Sequence, residues 1–384
     1  MRCGTYRKGI MAEITVNNDV NAIIEALLYF KNLASSESVA EFAEGMKTKY
    51  PENAEEIMDI FSPIIELEGQ LNSVTDGIDM ERVHFFFDLL GDAKTMMRGI
   101  NLANAIMLPN RLDDMRMTDF RTFVDELKAL SVAERMSRLR FSILLSNEYV
   151  NLNEETDAAV YFDQVAAFPS TEANKMKLLL VARHFGDYAE ELYGLMAPVV
   201  KLIEEQRALY QPLLDRFAQI YGGIDQDGLI GLISNFHSFN FDTPNIDIYN
   251  LCPRMFNITG IVAMILPLSD GRIAYRFELH VLVDRILAYR NRDMSLKGIA
   301  ECVKALGNPT RLEIMSMLRS EEVHAQGLVD KLGLSFTAVS SHMTKLMLAG
   351  LVIGERRGNF VYYRASLEGI RWLIDKLRAL LPEE

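Results

Sequence analysis

Two short helical patterns near the C-terminal end are separated by only three residues, and this spacing constrains the fold more than any other feature of the sequence. The first pattern runs from about Ala325 to Leu332 and stops at Gly333. Ser335 is suited to cap the second, which runs from Phe336 to about Ala349 with Gly350 beyond its end. Two helices joined by so tight a turn have the form of a helix-turn-helix, whose second helix enters a DNA major groove. Val339, Met343 and Leu346 form its inner face. Thr337, Ser340, Ser341, Thr344 and Lys345 fall mostly outward, and together with Ser335, Phe336 and His342 they are the expected contacts to bases and phosphates.

Directly afterwards Leu351-Val352-Ile353 and Phe360 to Arg364 cluster strand-forming residues, with Glu355-Arg356-Arg357-Gly358-Asn359 expected as the hairpin tip between them. Arg356 and Arg357 at such a tip would reach along a phosphate backbone or into a minor groove, and Asn359 and Tyr362 complete the expected wing contacts. Tyr362 and Tyr363 alternate across the strand, so one belongs to the core. Upstream, Leu296 to Leu306 is an amphipathic helix ending at Gly307, and Asn308-Pro309 supplies the cap and first turn of the next.

Charge follows the same division. The chain carries 40 Lys and Arg against 53 Asp and Glu, a net charge of −13 that would repel a phosphate backbone if it were spread evenly. Residues 295 to 384 hold 12 basic and 10 acidic residues, a balance of +2, so residues 1 to 294 carry −15. Within 331 to 364 the balance is five basic to one acidic, or +4.

Leu306-Gly307-Asn308-Pro309-Thr310-Arg311-Leu312-Glu313-Ile314, then Leu334-Ser335-Phe336-Thr337-Ala338-Val339-Ser340-Ser341-His342-Met343, then Ala349-Gly350-Leu351-Val352 and Arg356-Arg357-Gly358-Asn359-Phe360-Val361-Tyr362-Tyr363, resemble the ArsR/SmtB type of winged-helix transcription regulator. The resemblance covers about 90 of 384 residues. It implies a homodimer paired through the helices Leu296 to Leu306 and Leu367 to Leu381, binding double-stranded DNA at half-sites roughly 34 Å apart. Phe336 and Ser341 depart from the polar or longer residues often found at those positions, which implies either weaker direct base reading or apolar contact with a thymine methyl. Many members sense metals, but the stretch Glu322 to Leu328 lacks cysteine and the last helix lacks histidine. Neither common metal site is expected here, nor any cofactor.

The larger N-terminal part matches no pattern of that kind. Apolar residues at Val20, Ile23, Ile24, Leu27 and Leu28 open a run of helical patterns that continues to about residue 240. Ser170 to Glu172 reads as a helix start, and Pro198 and Pro212 should kink or divide the long run that follows. Between about 245 and 280 the texture turns to Ile, Val, Tyr and Phe around Ser269-Asp270-Gly271, which predicts a small antiparallel sheet. Leu279 to Tyr289 reads as helix, and Arg290 to Asp293 is the best boundary. The expected fold class is thus mostly α with small β elements. A disordered arm spans 1–10, unless Met11 is the true start. A mostly helical sensor or oligomerisation domain spans 11–293, and a winged helix-turn-helix spans 294–384.

Other chemistries lack their residues. Cys3, Cys252 and Cys302 are isolated, which fits a reducing cytoplasm better than a disulfide framework. The most continuous apolar stretch, Ile258 to Leu268, is too short to span a bilayer. Asp225 to Gly228 resembles the start of a calcium loop, but Leu229 and Ile230 stand where a ligand and the glycine belong, so it reads as a turn. His184 and Asp187 read as a local helix-surface pair. No phosphate-cradling glycine loop or nucleophile motif is present. The sequence therefore predicts a cytoplasmic DNA-binding transcription regulator and not an enzyme, with an unknown small molecule or protein acting through the N-terminal domain. The alternative is an enzyme carrying the winged helix as an accessory or autoregulatory module.

Overall fold

The structure is a computed structural model that describes residues 12–91, 101–108, 119–144, 157–224, 229, 232, 246–258, 261–286, 296–319, 322–334, 338–339, 342–343, 345–346, 349–357, 360–378 and 380. The proposed arm at 1–10 and the turn at 225–228 lie outside them. Two compact units emerge, one holding the described residues of 1–225 and 244–283, the other those of 226–243 and 284–384.

In the first unit strand β1 (Glu13–Val16) leads into helices α1 (Ala22–Ala34), α2 (Val39–Lys49), α3 (Ala54–Val74), α4 (Met80–Phe87), α5 (Leu102–Met107) and α6 (Phe120–Ala129). Then come α7 (Val132–Leu144), α8 (Ala158–Ala167), α9 (Glu172–Arg183), α10 (Phe185–Glu205) and α11 (Arg207–Tyr221). Short polar residues start many of them: the side chains of Asn21, Ser38, Asp79, Asp119 and Thr171 each accept a hydrogen bond from a first-turn N–H. The core fills with the apolar stripes of these helices, Phe30, Phe61, Phe86, Leu192 and Phe217 among them.

The long run from Glu172 does divide, but at His184 and Gln206, while α10 and α11 continue through Pro198 and Pro212. A proline inside a helix costs about 3 kcal/mol. Buried Met196, Val199, Val200 and Ile203 on either side of Pro198 offset that cost through packing.

Strands β2 (Ile248–Arg254), β3 (Ile261–Pro267) and β4 (Ile273–His280) complete a four-stranded sheet of order β1-β2-β4-β3. Only β3 and β4 are antiparallel, joined through the turn at Gly271; β2 runs parallel to both β1 and β4. The expected antiparallel sheet is therefore corrected to a mixed one. Alternation along a strand sets its faces and carries no record of which strand becomes its neighbour. Leu279 and His280, expected as helix, end β4, and described helix resumes only at Val283.

Both faces of β2 and β4 are buried, and they differ in chemistry. One carries Tyr249, Leu251, Tyr275 and Phe277, with the last two rings 4.5 Å apart. The other carries Asn250, Cys252, Arg254, Arg276, Glu278 and His280, which have to satisfy one another. Arg254 Nη2 and Arg276 Nε donate to Glu278 Oε1 at 2.8 and 3.1 Å, and Arg276 Nη1 donates to Asn250 Oδ1 at 2.9 Å. From α1, Glu25 Oε2 accepts the Met255 and Phe256 N–H groups, each at 3.1 Å. Asn32 Nδ2 donates to the Phe256 carbonyl. Glu25 Oε1 has no hydrogen bond and lies 4.0 Å from Arg254 Nη1.

Burial pushes the Glu25 carboxyl up to about 7 despite Arg254. Burial acts the same way on Glu278, but the two guanidiniums outweigh it and hold that carboxyl down at about 2. His280 accepts the Leu282 N–H on Nδ1, with the Phe61 ring 5.6 Å away, and burial lowers it to about 4.

The second unit contains α12 (Leu296–Leu306), α13 (Pro309–Met317), β5 (Val323–His324), α14 (Ala325–Leu332), β6 (Val352–Arg357), β7 (Phe360–Ala365) and α15 (Leu367–Arg378). Its sheet has the order β5-β7-β6 and is antiparallel throughout. Ile314, Leu328, Met343, Leu346 and Leu351 form a core sealed from solvent.

Candidate nucleic-acid interface

Helix α14 stops at Gly333, whose left-handed backbone (φ +65°) lets the chain reverse without the penalty a side chain would bring. Beyond it Ala338, Val339, His342, Met343, Lys345 and Leu346 are helical. Val339, Met343 and Leu346 are buried as the periodicity requires, so this segment rests its apolar stripe on the core and exposes Lys345. His342 is half-buried, and its Nδ1 is buried without a hydrogen-bond partner. Burial, then Arg311 and Lys345, hold its imidazole below the ordinary value. Ser335, Phe336, Thr337, Ser340, Ser341 and Thr344 lie outside the described residues.

The wing differs from expectation in one respect. Strand β6 runs through Arg357, with Arg356 opposite Val361 and Arg357 opposite Phe360, so both arginines belong to the ladder and not to the tip. Only Gly358 and Asn359 remain between the strands, outside the described residues. A two-residue connection of this composition suits the twist of a tight hairpin. The split between the tyrosines is as expected. Tyr363 is buried in the core, whereas Tyr362 is half-buried with its ring edge-on to His324 at 5.9 Å.

One residue gains a role that sequence reading missed. Arg311 is buried in the first turn of α13, where its backbone N–H is capped by Asn308 as expected. Its guanidinium donates from Nε to the Ala305 carbonyl and, at 2.9 Å, from Nη2 to the Lys304 carbonyl. It thereby closes the C-terminal end of α12. A cation in a first turn opposes the helix dipole, and that conflict was the available signal that its charge serves another element. Arg311→Ala should cost about 2–3 kcal/mol through the lost charged hydrogen bonds and orphaned carbonyls. Urea unfolding monitored at Trp372 would measure it.

Residues 308–353 match the family model described as bacterial regulatory protein, arsR family. The nodulation protein NolR of Rhizobium meliloti is 35% identical over 82 residues, 21% of this chain and 67% of that protein. The HTH-type transcriptional regulator YbzH of Bacillus subtilis (strain 168) is 31% identical over 93 residues, spanning 20% of this chain and 93% of that protein. The chain belongs to the arsR family of bacterial regulatory proteins. The solved NolR structure from Sinorhizobium fredii covers 23% of this chain and 90% of its own, at 30% identity and a TM-score of 0.20.

Membership in the arsR family is thus carried by the C-terminal unit. Among the described residues no three His, Cys, Asp or Glu side chains are grouped to hold a metal ion. No described helix is long and apolar enough to cross a membrane. His184 and Asp187 form an exposed pair at 3.6 Å, the surface arrangement expected from their spacing.

Proposed function

We propose that the chain is a homodimeric transcription regulator whose C-terminal winged helix reads double-stranded DNA and whose N-terminal unit receives an effector. The observation that carries the reading is the helical segment after Gly333. Its apolar residues are buried in the core while Lys345 is exposed on a segment whose sequence is otherwise small and polar. In this reading Ser335, Phe336, Thr337, Ser340, Ser341, His342, Thr344 and Lys345 contact bases and phosphates. Arg356, Arg357, Asn359 and Tyr362 follow the backbone from the wing.

Dimer formation is supported by apolar surface. Helices α12 and α15 pack together, yet Val303 is 46% exposed and Ile374 and Leu377 are 42% and 39% exposed. A second copy meeting this stripe about a two-fold axis would cover it and pair two recognition segments for a symmetric operator. Effector binding is supported in the N-terminal unit by a cleft of about 200 Å³ at the start of α1, lined by Asp19, Asp119, Phe120, Glu204, Arg207 and Tyr210.

Fluorescence anisotropy against the protein's own upstream DNA and a scrambled duplex, at about 50 to 200 mM salt, tests the reading. Preference for upstream DNA with steep salt dependence is the expected result. Replacing Arg356 and Arg357 together by Ala should weaken binding and reduce the log–log salt slope by about 2. An unchanged slope would remove the wing from the interface. Equal affinity for the two duplexes, with and without candidate effectors, would overturn the function.

A further inference from the structure

The parallel strands β2 and β4 end side by side on Arg254 and His280, which pair in register and turn their side chains to the same face of the sheet. Ligands of open sheets collect beyond the carboxyl ends of parallel strands. Helix α1 brings Glu25 to this end, where its Oε2 accepts the N–H of Met255, one residue past Arg254. The Met255 carbonyl in turn lies near enough to favour a proton on His280 without making a hydrogen bond to it. Glu25 and His280 are fully buried, and Arg254 is 1% exposed.

Each of the three keeps one polar atom without a hydrogen-bond partner: Glu25 Oε1, Arg254 Nε and His280 Nε2. Two of these atoms are donors. A guanidinium Nε always carries a hydrogen, and the rest of Arg254 is engaged, Nη1 with the Pro253 carbonyl at 2.9 Å and Nη2 with Glu278. The Leu282 N–H donates to His280 Nδ1 at 3.1 Å, so the neutral ring bears its own proton on Nε2. Glu25 Oε1 stands 4.0 Å from Arg254 Nη1, beyond hydrogen-bond reach.

Charge leads to the same ligand. Arg254 and Arg276 bring two positive charges, both hold Glu278 ionised, and burial keeps the Cys252 thiol protonated. Glu25 decides the balance. Burial favours its protonated form below about 7, which leaves one positive charge in excess and adds a third donor, the carboxyl O–H. Tyr210 of α11 also interacts with Glu25, and burial holds its phenol neutral. A positive charge sealed from water is strongly unfavourable without a counter-charge, and a single excess charge is matched by a monovalent anion.

We propose that Glu25, Arg254 and His280 form a buried site for a small monovalent anion of the halide class, which accepts from Arg254 Nε and His280 Nε2 and meets the Glu25 carboxyl. The anion supplies the acceptor that both N–H groups lack, and it takes over the counter-charge that Glu25 provides once ionised. The site shares no residue with the cleft at the start of α1 and does not depend on the DNA-binding reading.

Chloride titration of the full chain is the test, at about pH 6 and constant ionic strength with gluconate as the replacement anion. An anion that binds only the folded state lowers the unfolding constant in proportion to its concentration, once this exceeds the dissociation constant. The calorimetric transition of the N-terminal unit should therefore rise with chloride, its unfolding constant falling about tenfold per tenfold increase, while that of the C-terminal unit stays in place. The chloride NMR line should broaden in the presence of the protein and sharpen again when bromide competes. His280→Phe removes one donor and should abolish both responses. Glu25→Gln keeps a neutral donor at all pH values, so it should still respond at about pH 8, where the ionised Glu25 of the wild type excludes the anion. A wild-type transition indifferent to chloride at about pH 6, with no broadening of the chloride line, overturns the proposal. Equal responses of Glu25→Gln and wild type at about pH 8 overturn it as well, because they take Glu25 out of the site.

Discussion

Glu278→Gln should destabilise the N-terminal unit by about 3–5 kcal/mol, because it leaves two buried guanidiniums without their shared counter-charge. Glu278 accepts from both Arg254 and Arg276, and all three side chains are at most 5% exposed. For a unit of this size the loss corresponds to roughly 10 °C in Tm. Scanning calorimetry of the full chain should show one transition move down while that of the C-terminal unit stays in place. The contrast is the exposed pair Arg207–Asp19 at 2.8 Å, with side chains 47% and 54% exposed. Water screens such a pair to at most about 1 kcal/mol, so Arg207→Ala should scarcely move the same transition. Equal effects of the two substitutions would show that the buried network is not what holds the sheet to α1.

The second large effect is concealed in the wild type. Glu25 has its folded value raised from 4.5 to about 7, so its contribution is fully present below 4.5 and is lost as pH rises through 7. His280 has its folded value lowered from 6.5 to about 4, so in the acid range its contribution is lost as pH falls from 6.5 to 4. Each change amounts to about 3 kcal/mol, with opposite signs across pH 4.5 to 6.5. The folded unit takes up a proton at Glu25 and excludes one at His280, and the two nearly cancel. Glu25→Gln separates them. Its stability relative to wild type should grow by about 1.4 kcal/mol per pH unit from 4.5 to 7, measured as urea unfolding at each pH. A difference between the two proteins that does not vary with pH would mean that Glu25 is ionised and screened in the folded state.

Legibility of the sequence followed the range of the forces involved. Helix starts at Thr171 and Asn308 rest on a side chain reaching its own first turn, and the helix-turn-helix core at Val339, Met343 and Leu346 rests on simple periodicity. Both are local. The mixed sheet was hidden because β1 pairs with a strand more than 200 residues away and has too few residues to show a pattern. Arg254, Arg276 and Glu278 gave no warning for a related reason. Alternating charged and aromatic residues in 249–280 look like a strand with one wet face, and the helical layer that dries that face comes from residues 22–74. The arginines of the wing were misplaced at the tip because Gly358-Asn359 alone suffices for the turn, which leaves Arg356 and Arg357 free to extend the strand.

Strand β1 has a consequence for how the molecule is made. Glu13 pairs with Ile248 and Val16 with Leu251, so β1 has no place in the sheet until the ribosome has added about 235 further residues. At roughly 5–20 residues per second that interval is roughly 10–50 s, during which local helices can form but the sheet cannot close. The helices and strands of Leu296–Arg378 are all made after that point. Nascent chains stalled before residue 248 should therefore leave β1 open to protease, and chains extended past residue 280 should protect it.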